Sequence, residues 1–232
     1  MSETSLDHPC DESSHGQLSE AQEDYVKQIF LLGGGRASVT TQALAGRLAV
    51  RPPSVTEMVH RLAQLGLAVH EPYRGVRLTE KGRRIALEML RHHRLLETFL
   101  VRFLGYGWDE VHDEAERLEH VISERFEERI AEAMGHPTRD PHGDPIPATD
   151  LTMPEGGKGV ALAELAPGAR GVLVTVGLQD PENLERLRGL GLLPGAAVEL
   201  VEVNDRDVSV RVDDEQLRVP CGLARELWIE GV

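Results

Sequence analysis

The spacing of apolar positions divides the chain into a helical front and a strand-rich back. Ala21, Tyr25, Val26, Ile29, Phe30 and Leu32 recur at helical intervals and stop at Gly33-Gly34-Gly35, while Ser19 followed by Gln22 forms a capping-box pattern. A helix is predicted there, with Asp24 near the edge of its apolar stripe. Thr40 to Val50 predicts a short helix anchored by Leu44 and Leu48. Arg51-Pro52-Pro53 then turns into a helix from Ser54 to Leu65, whose inward positions are Val55, Met58, Val59, Leu62 and Leu65. Proline is tolerated in the first helical turn, where its missing N–H has no helical partner to lose. Leu67 to His70 and Val76 to Leu78 flank Glu71-Pro72-Tyr73-Arg74-Gly75 as strand, turn and strand. The whole is a winged helix-turn-helix pattern, a module that binds DNA and in other settings mediates protein contacts.

A long helix is predicted from Thr79 to about Leu104, carrying His92, His93 and Glu97, and a further helical run spans Trp108 to Met134, continuing or restarting at Ser123, with Gly135 and Pro137 as its stop. Residues 136–158 are rich in Pro, Gly, Asp and His and read as a linker, whose His136 and His142 could bind metal but, as loop histidines, are expected to be solvated. From Val160 the pattern changes to short alternating strands, 172–176, 198–203, 208–212, 217–219 and 227–229, with a short helix over Pro181 to Arg188. The predicted class is mainly α with a small β domain. Its predicted parts are a disordered tail (1–18), a winged helix (19–80), a helical domain (81–136), the linker (137–158) and a small barrel (159–232).

Charge sharpens this picture. The chain carries a formal −14, yet residues 36–94 hold eleven Lys and Arg against four Asp and Glu, a local +7 between acidic flanks. Phosphate neutralisation is local, so double-stranded DNA is the expected partner of the basic segment. Arg51, Pro53, Ser54, Thr56 and Glu57 are predicted to approach the major groove, and Arg74 and Arg77 to meet phosphates. No apolar run reaches about 18 residues and the first residues lack a signal-peptide pattern, so no membrane partner and a cytoplasmic location are expected. Cys10 and Cys221 have no metal spacing and read as incidental thiols.

Candidate chemistry centres on His112-Asp113-Glu114-Ala115-Glu116-Arg117-Leu118-Glu119-His120. At about 100° per residue, His112, Glu116, Glu119 and His120 fall on one helical face, beside an apolar stripe of Val111, Ala115, Leu118 and Ile122. Two imidazoles and two carboxylates on one face suit a divalent cation; a solvated Glu-rich face is the alternative. His93 and Glu97, four residues apart, make a second donor pair. A metallohydrolase or a metal-buffering interaction module could use the same donors, but no nucleophile motif or phosphate loop accompanies them, and a basic winged helix has no role in a hydrolase.

In this order, the winged helix, His93-Arg94-Leu95-Leu96-Glu97, the segment from Val111 to Val121 and Gly143-Asp144-Pro145-Ile146-Pro147 resemble the diphtheria-toxin-repressor family of iron- and manganese-dependent regulators, over nearly the whole chain from Ser19. The resemblance implies a homodimeric repressor of metal-uptake genes that binds palindromic operators when metal is loaded. It also implies a primary site of Asp24, Glu116, Glu119 and His120 and an ancillary site of His93, Glu97 and His112. The strand-rich end, with Leu190 to Gly195, resembles the SH3-like domain of the iron-type members, from which Asp180 and Asn183 match positions that reach the ancillary metal; an ordinary helix start capped by Asp180 is the other reading. Iron-type members have Met at the position of Asp24 and Cys at that of Glu116. Carboxylates there match the manganese branch, so Mn²⁺ is the expected cofactor, with Fe²⁺ second. Lys27 stands where members with a paired-metal site have Glu, which argues against two bridged ions.

Overall fold

The computed structural model describes residues 18–71, 73–154, 159–178 and 180–231. Residues 1–17 of the expected tail, with Cys10, and the last part of the expected linker lie outside the described residues. The chain forms two compact units that meet between Ala86 and Leu87.

In the first unit, α1 (Glu20–Gly33) buries Tyr25, Val26, Ile29 and Phe30. The Gln22 side chain accepts from the Ser19 N–H at 3.0 Å, the capping-box contact the sequence predicts. Helix α2 (Thr41–Arg47) is capped by the Thr40 hydroxyl, which accepts from the Ala43 N–H at 3.1 Å. Helix α3 (Pro52–Gln64) starts at the proline pair and buries Val55, Val59 and Leu62, leaving Ser54, Thr56, Glu57, His60 and Arg61 exposed. Strands β1 (Ala68–Glu71) and β2 (Gly75–Leu78) form the wing, antiparallel from Ala68 opposite Leu78 to Glu71 opposite Gly75. Val39 pairs with Val76 and ties the wing to the chain entering α2. That close approach demands Gly75, since a Cβ there would lie 2.0 Å from the Val39 carbonyl oxygen and φ is +110°.

Helix α4 (Glu80–Phe99) runs out of the first unit into the second and ends in a π turn over Leu100–Leu104. In the second unit Leu95, Leu96 and Leu100 pack with Val111, Ala115, Ile130, Ala131 and Ile146. Helix α5 (Val111–Leu118) is short, and α6 (Glu124–Ala133) starts afresh at Ser123, whose hydroxyl caps it by accepting from Phe126 N–H. The helical run between Trp108 and Met134 is thus broken by a turn at Glu119, His120 and Val121, and of the two readings open at Ser123, continuation or restart, the helix restarts. A good N-cap residue in mid-run marks the restart.

The C-terminal part is one antiparallel sheet in the order β3-β8-β4-β5-β6-β7. Its strands are β3 (Val160–Ala161), β4 (Arg170–Val176), β5 (Ala197–Val203), β6 (Asp207–Val212), β7 (Glu215–Pro220) and β8 (Leu227–Glu230), with α7 (Pro181–Gly189) between β4 and β5 and α8 (Cys221–Ala224) before β8. Leu173, Leu184, Leu187, Leu200, Val210 and Ile229 are among its core, and Trp108 from the helical part is buried with them.

Residues 139–147 do not behave as a linker. Asp140, His142 and Ile146 are buried, Arg139 pairs with Pro145, and the Gly143 carbonyl accepts from Thr175 Oγ1 at 3.1 Å. Composition alone suggested an open connection; buried hydrogen bonds to the sheet and to α4 override it. No helix among the described residues is long and apolar enough to cross a membrane.

Candidate metal centre

The second unit concentrates metal-ligating side chains around α4, the turn after α5, and the 139–147 loop. His93 is the hub. Its Nδ1 lies 2.5 Å from Glu119 Oε2, and its Nε2 is 3.0 Å from both Glu97 Oε1 and His112 Nδ1. His112 Nδ1 is in turn 3.1 Å from Glu97 Oε1, so the His93–Glu97 pair expected from spacing is joined by His112 in the cluster that the family resemblance implies. Burial opposes a charge on His93, but the Glu97 carboxylate and the hydrogen bond to Glu119 outweigh it and hold the imidazole protonated up to about 9. Glu97, although burial pushes it up, is held well below the usual carboxylate range by His93 and by hydrogen bonds from His112 and His142. A proton and charge-assisted bonds therefore fill the space that a cation can take.

Glu119 and His120 do not share a helical face with His112, as the periodicity implied. They sit in the turn after α5, where the Glu119 side chain is fully buried and its Oε1 lies 3.7 Å from His120 Nε2. Glu116 remains on α5, with Oε1 3.8 Å from His112 Nε2. Within the second unit, then, the expected primary and ancillary donors are contiguous, linked through His93 to Glu119 and through His112 to Glu116. Asp24 is on α1 in the first unit.

Two donors were not in the expected set. The loop brings His142 Nδ1 to 3.6 Å from Glu97 Oε2 and packs Asp140 into the same cluster. His142 Nε2 donates to the Trp108 carbonyl at 2.9 Å, which leaves Nδ1 as the nitrogen facing Glu97. Asp140 Oδ1 accepts from the backbone N–H of His142 and of Asp144, both at 2.9 Å. Burial first, and then the Glu97 charge, push the Asp140 carboxyl up to about 7 against the pull of Arg94. The signal that could have found this pair is Asp140-Pro141-His142-Gly143, whose glycine φ of +86° and close backbone contact with Val174 fix a tight turn on the sheet. Asp180 and Asn183 are instead occupied with each other. Asp180 caps α7, accepting from the Asn183 N–H at 3.1 Å and from Asn183 Nδ2 at 2.6 Å, and neither belongs to a metal-competent cluster among the described residues.

On the first unit, Arg51, Pro53, Ser54, Thr56 and Glu57 are all exposed at the start of α3, as expected. Glu57 lies 3.3 Å from Arg61 one turn on. Arg74 is exposed at the wing tip, but Arg77 is tethered, with Nε 3.3 Å from Glu71 Oε1, and Glu71 also accepts from the Ser38 hydroxyl.

Comparison with known proteins places this architecture. Residues 17–76 match the iron dependent repressor N-terminal DNA binding domain, 79–148 the iron dependent repressor metal binding and dimerisation domain, and 160–231 the FeoA domain. The iron-dependent repressor IdeR of Mycobacterium tuberculosis is 33% identical over 228 residues, spanning 93% of this chain and 99% of its own. The chain belongs to the iron-dependent repressor family. The diphtheria toxin repressor of Corynebacterium diphtheriae is 35% identical over 133 residues, 57% of this chain and 59% of its own. Among solved structures, a manganese-dependent transcriptional repressor in complex with manganese superposes with a TM-score of 0.84 at 36% identity, covering 91% of this chain and all of that one. ScaR with bound Zn²⁺ gives 0.78 at 32%, covering 91% and 99%. This repressor family works by binding DNA, so the hydrolase reading of the same donors is set aside.

Proposed function

We propose that this iron-dependent repressor family member is a Mn²⁺-activated repressor of metal-uptake genes, acting in the cytoplasm as a homodimer on palindromic operators. Glu116, Glu119 and His120, completed by Asp24 of the first unit, form the proposed primary site. His93, Glu97 and His112, joined by Asp140 and His142, form the proposed second site. The observation that carries the metal assignment is the donor chemistry: every donor is oxygen or imidazole nitrogen, with no sulfur among them, and hard oxygen-rich sets suit Mn²⁺. The solved relatives described by their manganese dependence point the same way.

The residues divide the work. Asp24 on α1 couples the donor turn after α5 to the unit that carries α3, so that binding energy at the primary set selects the DNA-competent arrangement. On α3, Arg51, Pro53, Ser54, Thr56 and Glu57 read the major groove, and Arg74 holds a phosphate, with Arg77 the weaker phosphate ligand because Glu71 competes for it. Lys27 is 2% exposed on α1 and supplies a cation where a bridging carboxylate would be needed, which favours two separate ions over a bridged pair. A divalent ion held by these donors would supply a Lewis-acidic positive charge in place of the proton on His93.

The metal assignment is tested with Asp24→Met combined with Glu116→Cys, which restores softer donors. Operator affinity against free metal should shift its preference from Mn²⁺ toward Fe²⁺ and Co²⁺. An unchanged preference would remove these two residues from the choice of metal.

A further inference from the structure

One cluster of ligating side chains lies outside the proposed sites. His92, next to His93 on α4, turns the other way and faces α6, where its Nε2 lies 2.9 Å from Glu127 Oε2 and 3.8 Å from Glu124 Oε1. These three ligand atoms all fall within 4.8 Å of one another. Two donors held about 2.1 Å from one ion at tetrahedral or octahedral angles stand about 3.0 to 3.4 Å apart, so both spacings from His92 Nε2 come within range with shifts of a few tenths of an ångström. The imidazole is already oriented: its Nδ1 donates to the Glu119 carbonyl at 3.2 Å, which leaves Nε2 as the nitrogen that faces the carboxylates and is available to an ion between them. Glu127 is oriented as well, with Oε1 taken by Arg91 Nε at 2.6 Å and Oε2 turned toward His92. The His92 side chain is 1% exposed and that of Glu124 58%, so the cluster has a buried nitrogen anchor and an open carboxylate through which an ion can enter.

The charge gathered around the cluster suits a cation. Glu88 on α4 shares a side-chain hydrogen bond with Glu124, which gathers three acids around one imidazole with Arg91 as the nearby cation. A divalent ion with four to six positions can draw His92, Glu127 and Glu124 to itself at once.

We propose that His92, Glu124 and Glu127 form a third divalent-cation site, of the class that takes Zn²⁺ or Mn²⁺, which fastens α4 to α6. It is separate from the proposed regulatory sites but joined to them by one bond, because the backbone carbonyl that orients His92 belongs to Glu119, whose side chain faces His93. Filling the third site therefore stiffens the turn that carries Glu119 and His120.

The test is Zn²⁺ uptake by the full-length protein, dialysed to equilibrium at buffered micromolar free Zn²⁺ and counted by elemental analysis. Glu124 is exposed, so Glu124→Gln folds; Glu127→Gln keeps a carbonyl oxygen for Arg91 and serves as the second variant. Each should hold one equivalent per chain fewer than wild type, a difference independent of how many ions the other clusters hold. In wild type the His92 Nε2 resonance in ¹⁵N NMR should move to the position of a metal-bound imidazole on Zn²⁺ addition, and in Glu124→Gln it should require at least about tenfold more free Zn²⁺. Equal equivalents in wild type and both variants, or a His92 that keeps an imidazolium signature at saturating Zn²⁺, would show that the cluster holds a proton only and overturn the site.

Discussion

His93 Nδ1 and Glu119 Oε2 stand 2.5 Å apart and join the two proposed metal sites through one hydrogen bond. Each partner is a proposed ligand of a different site, and the bond can persist when both fill, because His93 faces Glu97 and His112 through Nε2 and Glu119 faces His120 through Oε1. The two sites are coupled by construction.

The coupling predicts a pH dependence whose sign is fixed. Without metal, His93 stays protonated up to about 9, and as a ligand it must be neutral. Between the ordinary imidazole value of about 6.5 and about 9, each unit of rising pH should tighten metal binding at the second site by about tenfold, and above 9 the gain should stop. Stability of the metal-free protein runs the opposite way: the raised His93 value contributes stability that is complete below about 6.5 and is lost as pH rises through about 9. Chelator competition across this range measures the first trend and chemical denaturation of metal-free protein the second. Binding that is flat with pH would mean that His93 is not a ligand.

Glu97 should behave as the buried counter-charge of three imidazoles. Glu97→Gln leaves His93, His112 and His142 without their shared carboxylate, and removing one partner of a buried charged set costs about 3 to 5 kcal/mol. Denaturation at neutral pH measures the loss. Because Glu97 is held well below the ordinary carboxylate value, its contribution is present above about pH 4.5 and disappears as pH falls below that. The gap between wild type and Glu97→Gln should therefore close in acid; a gap that widens there would contradict the assignment.

The sequence made the helices and strands legible wherever one face is buried, as in α1, α3 and β4 to β8, because periodicity records burial on one side. The donor residues of α4 and α5 were legible by type and spacing. A restart at Ser123 was open in the sequence, but periodicity could not show that the helix already ends at Leu118, since Glu119 and His120 keep a helical phase while sitting in the turn. Asp140 and His142 were hidden for a different reason. Their burial comes from long-range contacts with Glu97, Trp108 and the sheet, and local composition carries no trace of those.

Gly143 links that loop to the sheet. A Cβ there would lie 1.8 Å from the Val174 carbonyl oxygen, at a φ of +86°. Gly143→Ala should cost about 1 to 3 kcal/mol of stability and weaken metal binding at the second site by displacing Asp140 and His142. Isothermal titration beside thermal unfolding separates the two effects; lost stability with unchanged metal affinity would detach the loop from the site.

On the wing, the tether between Arg77 and Glu71 separates two arginines that look alike in sequence. Arg74→Ala should lower the slope of log affinity against log salt by about one, while Arg77→Ala should lower it less and Glu71→Gln should strengthen binding to any DNA. Fluorescence anisotropy over a salt series reads all three. Equal slope changes for both arginines would mean that the tether does not persist on DNA.

The central claim is that metal at the donors around Glu119, completed by Asp24, selects the DNA-binding form. The direct measurement is operator affinity of the full-length protein by anisotropy, with and without saturating Mn²⁺, for wild type and Asp24→Ala. Wild type should tighten by about 5- to 150-fold with Mn²⁺, the range of ordinary allosteric coupling, and Asp24→Ala should keep its metal-free affinity while losing most of that gain. Equal wild-type affinity with and without Mn²⁺, or a full response in Asp24→Ala, would contradict it.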